Sequence, residues 1–149
     1  MRPIAAQHAD GDALIAANRD LYQPARKKTM DVKNLEEVEA FITKDGSEIR
    51  ELLAYRNSNI RKQSLAEARL KPGARTAPHY HPKTEEIYYI LRGSGEMTIG
   101  QQSRHVGPGD AIAIPPGEVH TILNSGAELL VFLCCCAPAY ENDDTVMVE

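Results

Sequence analysis

Five histidines are present, and three of them stand where they could share one ligand. His79 and His81 are separated by a single residue, so in an extended segment both imidazoles project from the same face. Glu86 follows after the Pro82-Lys83-Thr84 turn and could bring a carboxylate to that face; Glu85 is the alternative if the turn is tighter. His120 comes from a separate segment, just beyond Pro115-Pro116-Gly117. Three neutral imidazoles and one carboxylate make an N3O donor set. Such a set suits one divalent transition metal, Fe, Mn, Ni, Cu or Zn, better than Ca or Mg. A histidine pair at period two is also common surface decoration, and spacing by itself does not separate the two readings.

The elements that must position these residues are short. From Phe41 onward, apolar runs alternate with turn chemistry. Phe41-Ile42-Thr43 meets Lys44-Asp45-Gly46-Ser47, whose Asp-Gly pair predicts a tight turn. Strands are predicted over 64–70, 86–91, 96–99, 104–106, 111–114, 119–123 and 129–134, with glycine or proline between most of them. Pro116 and Gly117 suit positions i+1 and i+2 of a type II turn. Many short punctuated strands predict an all-β sandwich or barrel. Residues 1–40 lack steady periodicity and read as an N-terminal arm packing on the barrel or on a partner subunit. Within it a helical turn is expected between Asp12 and Asn18, and a short capped helix at Asn34-Leu35-Glu36-Glu37. Residues 41–149 form the barrel domain.

Two longer patterns carry a resemblance. Gly73-x5-His79-x-His81-x4-Glu86-x6-Gly93 resembles the first motif of the cupin family, and Gly109-x5-Pro115-x-Gly117-x2-His120-x3-Asn124 resembles the second. Together they span Gly73 to Asn124, roughly a third of the chain. The resemblance implies a double-stranded β-helix, the cupin jelly-roll barrel, with His79, His81, Glu86 and His120 as metal ligands, and it favours Glu86 over Glu85. Alternation then turns Tyr88 and Ile90 inward with Glu86, and Tyr89 and Leu91 outward. Tyr88 could orient a substrate, although a buried structural tyrosine is the plainer reading. Ile122 and Asn124 share the inward face of His120, with Asn124 holding a turn or supporting the ligands. His105 is expected in a solvent-facing edge segment.

The arrangement bounds the function. Four protein ligands on an octahedral ion leave two positions for water, O2 or a bidentate substrate. The expected function is therefore a metal-dependent enzyme, dioxygenase-like or a decarboxylase or isomerase, acting on a small oxygen-rich metabolite. Glu86 could double as a proton acceptor. The alternative is a non-catalytic barrel that binds or senses a sugar or organic acid. Cupins resembling oxalate decarboxylase carry an arginine where this chain has Thr76, which argues against that activity. In the strand before the first motif, Gln63, Glu67 and Arg69 share one face, and Ser64, Ala66, Ala68 and Leu70 the other; the apolar set is expected inside. A net charge of −4 argues against a nucleic-acid partner. No run approaches the ~18 apolar residues of a membrane span. Cys134, Cys135 and Cys136 are adjacent and poorly placed for disulfides, which points to buried small hydrophobes and a cytoplasmic setting. The family resemblance implies a homodimer.

Overall fold

A computed structural model describes residues 30–149. The expected helical turn at 12–18 and most of the N-terminal arm lie outside the described residues. At the start of the described chain, Leu35–Glu37 forms one 3-10 turn in place of the expected short helix, with Asn34 Oδ1 accepting the Glu36 N–H at 2.9 Å. Eleven strands follow: β1 (Phe41–Ile42), β2 (Glu48–Leu53), β3 (Ser64–Leu70), β4 (His79–Tyr80), β5 (Glu85–Arg92), β6 (Gly95–Ile99), β7 (Gln102–Val106), β8 (Ala111–Ile114), β9 (His120–Asn124), β10 (Leu130–Ala137) and β11 (Val146–Met147).

They form two antiparallel sheets, ordered β1-β2-β3-β10-β5-β8 and β11-β4-β9-β6-β7. The chain crosses repeatedly between sheets, and the result is the double-stranded β-helix that the two motifs implied. Alternation decides which side chains fill the space between the sheets. In β5 Tyr88 and Ile90 are buried, while Ile87, Tyr89 and Leu91 stay 48, 41 and 43% exposed. Ala68 and Leu70 of β3, Phe132 of β10, and Met97 and Ile122 from the opposite sheet complete the core. Each such large apolar side chain contributes about 1.5–3 kcal/mol on burial.

Turn chemistry sets the register. Gly93 holds φ +79°, and a Cβ there would lie 2.6 Å from the Leu129 carbonyl oxygen, so the first motif ends on a position that excludes other residues. Gly117 adopts φ +80° and the Glu118 N–H donates to the Pro115 carbonyl at 3.3 Å, the expected type II turn. Asn124 is fully buried and closes the second motif. Its Nδ2 donates to the Leu70 and Glu128 carbonyls at 2.9 and 2.7 Å, and its Oδ1 accepts the Gly126 N–H at 3.0 Å. His105 lies on the exposed edge strand β7, as expected.

Strand β2 was not expected. Its sequence, Glu-Ile-Arg-Glu-Leu-Leu, alternates poorly because a register shift falls between Glu51 and Leu53 in its pairing with β3. Its charged residues form ion pairs, Arg50 with Glu48 at 2.6 Å within the strand and Glu51 with Arg56 beyond it.

Candidate metal centre

The two sheets bring the four motif residues together from opposite walls. His79 and His120 are direct cross-strand partners in β4 and β9, which places their rings 4.3 Å apart by centroid. His81 leaves β4 on the same face, its ring 5.2 Å from His79 and 5.6 Å from His120. One nitrogen from each histidine lies within 4.8 Å of the other two, so the triad could hold a metal ion. Glu86 arrives from β5 in the other sheet. Its Oε2 is 3.4 Å from His81 Nε2 and 3.5 Å from His120 Nε2. All four side chains are at most 5% exposed.

The outward nitrogen of every ring is held by the main chain. Nδ1–H of His79 donates to the Ala77 carbonyl at 2.8 Å, that of His81 to Asp144 at 3.2 Å, and that of His120 to Glu118 at 2.9 Å. These bonds fix the Nδ1–H tautomer and aim an Nε2 lone pair at the centre. Glu86 Oε2 therefore faces acceptors, and both it and His120 Nε2 are buried without a hydrogen-bond partner. Such a cluster of buried acceptors is costly unless a shared cation sits among them. Two ligands about 2.1 Å from a common ion lie roughly 3.0–3.4 Å apart at right-angled to tetrahedral spacing, close to the Glu86–histidine distances. The donor set fits a transition metal.

Protonation follows the same contacts. Burial pushes the Glu86 carboxyl up, but the facing His120 and His81 more than offset this and hold it at about 2. Burial disfavours charge on His81 as well, yet Glu86 outweighs it and His81 is raised. His79 is lowered, by burial and then by His120.

Above the triad is a cavity of about 40 Å³ that opens to solvent. Tyr88 faces it, with its ring 4.6 Å from Phe132 and 6.0 Å from His120. Burial, then Glu86, keeps the Tyr88 hydroxyl protonated. From β3, Ser64 and Ala66 line the cavity; Glu67 turns to the outer side and pairs with Arg69 at 2.6 Å, so the apolar set is the inward one. Thr76 is fully buried, its Oγ1 accepting the Ile122 N–H at 3.0 Å, and it does not line the cavity. Cys134 and Cys136 line the cavity while Cys135 points away. All three are free thiols. The Cys136 thiol donates to Glu86 Oε1 at 3.3 Å, so this cysteine touches the centre rather than only filling space.

Two segments bear on the site that sequence reasoning passed over. The β1–β2 turn, read only as a tight turn, carries Asp45 into the cavity. Asp45 Oδ1 accepts from Thr43 Oγ1 at 2.5 Å, Ser47 N at 3.0 Å and Ser47 Oγ at 2.8 Å, and Oδ2 lies 3.9 Å from His79 Nε2. The Asp-Gly pair was visible; its reach toward His79 depends on the Ala77 N–H bonding the Asp45 carbonyl at 2.7 Å. The segment 141–147 supplies Asp144, whose carbonyl holds His81 and whose Oδ2 accepts the Lys83 and Thr84 N–H groups at 3.3 and 3.0 Å.

Residues 66–136 match the model of the Cupin_2 cupin domain. An uncharacterized protein of Methanocaldococcus jannaschii is 46% identical over 114 residues, 76% of this chain and 91% of that protein. Among solved structures, the polyketide cyclase RemF from Streptomyces resistomycificus superimposes with a TM-score of 0.69 at 26% identity, covering 81% of this chain and 87% of its own. A predicted oxalate decarboxylase from Thermotoga maritima gives 0.64 at 28%, covering 72% and 99%. No helix among the described residues is long and apolar enough to cross a membrane.

Proposed function

This chain belongs to the cupin family, and from that premise we propose that it is a metal-dependent enzyme acting on a small oxygen-rich metabolite, with His79, His81, His120 and Glu86 as the metal ligands. The carrying observation is the pair of buried, partnerless acceptors, Glu86 Oε2 and His120 Nε2, set among imidazoles whose outer nitrogens are all tied to carbonyls. A divalent ion there would supply a Lewis acid able to polarise a carbonyl or hydroxyl oxygen of the substrate.

The chain's own groups supply the rest. The three Nδ1–H···O=C bonds hold the rings so that no reorganisation is needed on binding. Cys136 steadies one oxygen of Glu86, leaving the other toward the centre. Tyr88, protonated and facing the cavity, can donate to a substrate oxygen, and Phe132 packs against its ring. Asp45 adds a charged group beside His79, which favours catalysis over simple binding. Proton-transfer chemistry of the isomerase or cyclase kind accords with two carboxylates flanking the triad and with the 26% identical polyketide cyclase. The inward Ser64 and Ala66 favour the second reading, a binding or sensing barrel, because β3 adds no charge to the cavity.

The expected homodimer belongs to the same proposal. The outer face of β5, with Ile87, Tyr89 and Leu91 exposed, supplies an apolar surface suited to a second copy. The test of function is metal content by mass spectrometry on tag-free protein, followed by O2 uptake with diketones, catechols and thiols. Near-stoichiometric metal without O2 consumption fits the non-oxidative reading. Substrate-dependent O2 loss moves the assignment to a dioxygenase, and protein that takes up no metal overturns it.

A further inference from the structure

The charge of the cavity is one-sided. Asp45, Glu51 and Glu86 line it, and among the described residues no lysine or arginine does. Glu51 is neutralised from outside by Arg56, which also reaches Glu141 at 3.2 Å. Lys44, next to Asp45, turns outward to the Asn142 and Thr145 carbonyls at 2.6 and 3.3 Å. Two carboxylates therefore remain to balance a divalent ion. They stand on opposite sides of the triad, Glu86 beside His81 and His120, Asp45 beside His79.

Asp45 is built for a fixed task. Its side chain is 10% exposed, and three donors from Thr43 and Ser47 clamp Oδ1. This leaves Oδ2 directed toward His79 Nε2 at a distance too long for a hydrogen bond. A carboxylate oxygen so placed accepts hydrogen bonds and repels negative charge. Phe41, Ile49 and Phe132 give the same cavity an apolar flank. The buried acceptors Glu86 Oε2 and His120 Nε2, aimed into the same space, independently mark it as a ligand site.

We propose that this cavity selects uncharged hydroxy ketones carrying an apolar group, with the carbonyl oxygen toward the triad and the neighbouring hydroxyl donating to Asp45 Oδ2, and that it turns carboxylates away. The proposal rests on the metal-centre reading above. It names a substrate class opposite in charge preference to that of a cavity holding an arginine over the metal. A carboxylate substrate would bring a third negative group next to Asp45 and Glu86 with no cationic side chain to receive it. An uncharged ligand whose hydroxyl meets Oδ2 satisfies that oxygen and leaves the balance unchanged.

The test uses the full chain loaded with Co(II), whose visible absorption reports ligand entry without any turnover. Three probes share a phenyl ketone: 2-hydroxyacetophenone, acetophenone without the hydroxyl, and benzoylformate with a carboxylate in its place. At about 0.15 M salt, 2-hydroxyacetophenone is expected to bind at least tenfold more tightly than either of the others. In Asp45→Asn, which keeps an oxygen for Thr43 and Ser47 but replaces Oδ2 by a donor, the preference for hydroxyl over carboxylate falls at least tenfold. Unchanged melting of the Co(II)-free variant shows that the turn is intact, and Glu128→Gln, an exposed acid paired with Arg92 away from the cavity, serves as a second acidic replacement that leaves the order of probes unaltered. Benzoylformate binding wild type as tightly as 2-hydroxyacetophenone, or an Asp45→Asn variant with the wild-type order, overturns the proposal while leaving the metal centre standing. Failure to take up Co(II) overturns the centre itself, and the proposal with it.

Discussion

Replacing Glu86 by glutamine separates a metal ligand from a structural partner of histidine. The side-chain volume is kept and so is an oxygen for the Cys136 thiol. The amide nitrogen then takes the place of Oε2, 3.4 and 3.5 Å from two imidazole lone pairs, and donates where the carboxylate could not. The variant thus loses one of four donors and all of the negative charge among them. Metal affinity is expected to fall about 100-fold, the upper end of what supporting groups alone contribute. With metal at about 100 times the wild-type Kd, wild-type protein gains about 2.7 kcal/mol, whereas a 100-fold weaker site gains only about 0.4 kcal/mol. The difference of about 2.3 kcal/mol corresponds to roughly 7–9 °C in Tm for a domain of this size. Tag-free protein stripped with EDTA and melted by circular dichroism, with and without added Zn or Mn, gives the two gains directly, and calorimetric titration gives the affinities. A Glu86→Gln variant that keeps the full metal-induced gain refutes the carboxylate as ligand. If His120→Ala keeps it too, the centre is elsewhere.

Two further predictions concern the metal-free protein. The folded Glu86 carboxyl sits at about 2 against an ordinary 4.5, so its stabilising effect is present above pH 4.5 and lost as pH falls toward 2. Over that window the stability difference between wild type and Glu86→Gln should shrink by about 3 kcal/mol. Urea unfolding at pH 5, 3.5 and 2.5 measures it, and a difference that does not change with pH contradicts the assignment. Asn124→Ala leaves the Leu70 and Glu128 carbonyls and the Gly126 N–H without their partner. At about 1–3 kcal/mol per buried unpaired group, partly shared, the loss should reach roughly 3–5 kcal/mol; a loss below about 1 kcal/mol would mean that water replaces the amide.

The barrel was legible where alternation was strict and turns were marked. Glu86 to Leu91 alternates without interruption, and burial follows it residue by residue. Gly93, Gly117 and Asn124 each occupy a position whose backbone or hydrogen bonding demands that residue type. Strand β2 was illegible because a register irregularity breaks its period and charged residues occupy half of its positions. The histidines and Glu86 could be grouped from sequence because motif spacing and a shared face bring them together. Asp45 could not, since its place beside His79 is set by contacts with Thr43, Ser47 and Ala77 that only the folded chain brings about. Asp144 acts mainly through a main-chain carbonyl, and a carbonyl leaves no mark on residue identity.

Strand β11 joins its sheet through only two residue pairs, Val146 with Tyr80 and Met147 with His79, yet the turn before it carries the carbonyl that holds His81. Segments paired so briefly are the first to open in native-state fluctuations. Each opening releases the His81 ring to the other tautomer, in which Nε2 bears the proton and cannot ligate. The apparent affinity of the centre is then its intrinsic affinity scaled by the fraction of time this clasp is shut. The coupling runs both ways: a filled centre holds the clasp closed. Hydrogen exchange at the Val148 amide, which donates to the Pro78 carbonyl at 2.9 Å, therefore slows with occupancy, making an amide that touches no ligand a gauge of how full the centre is.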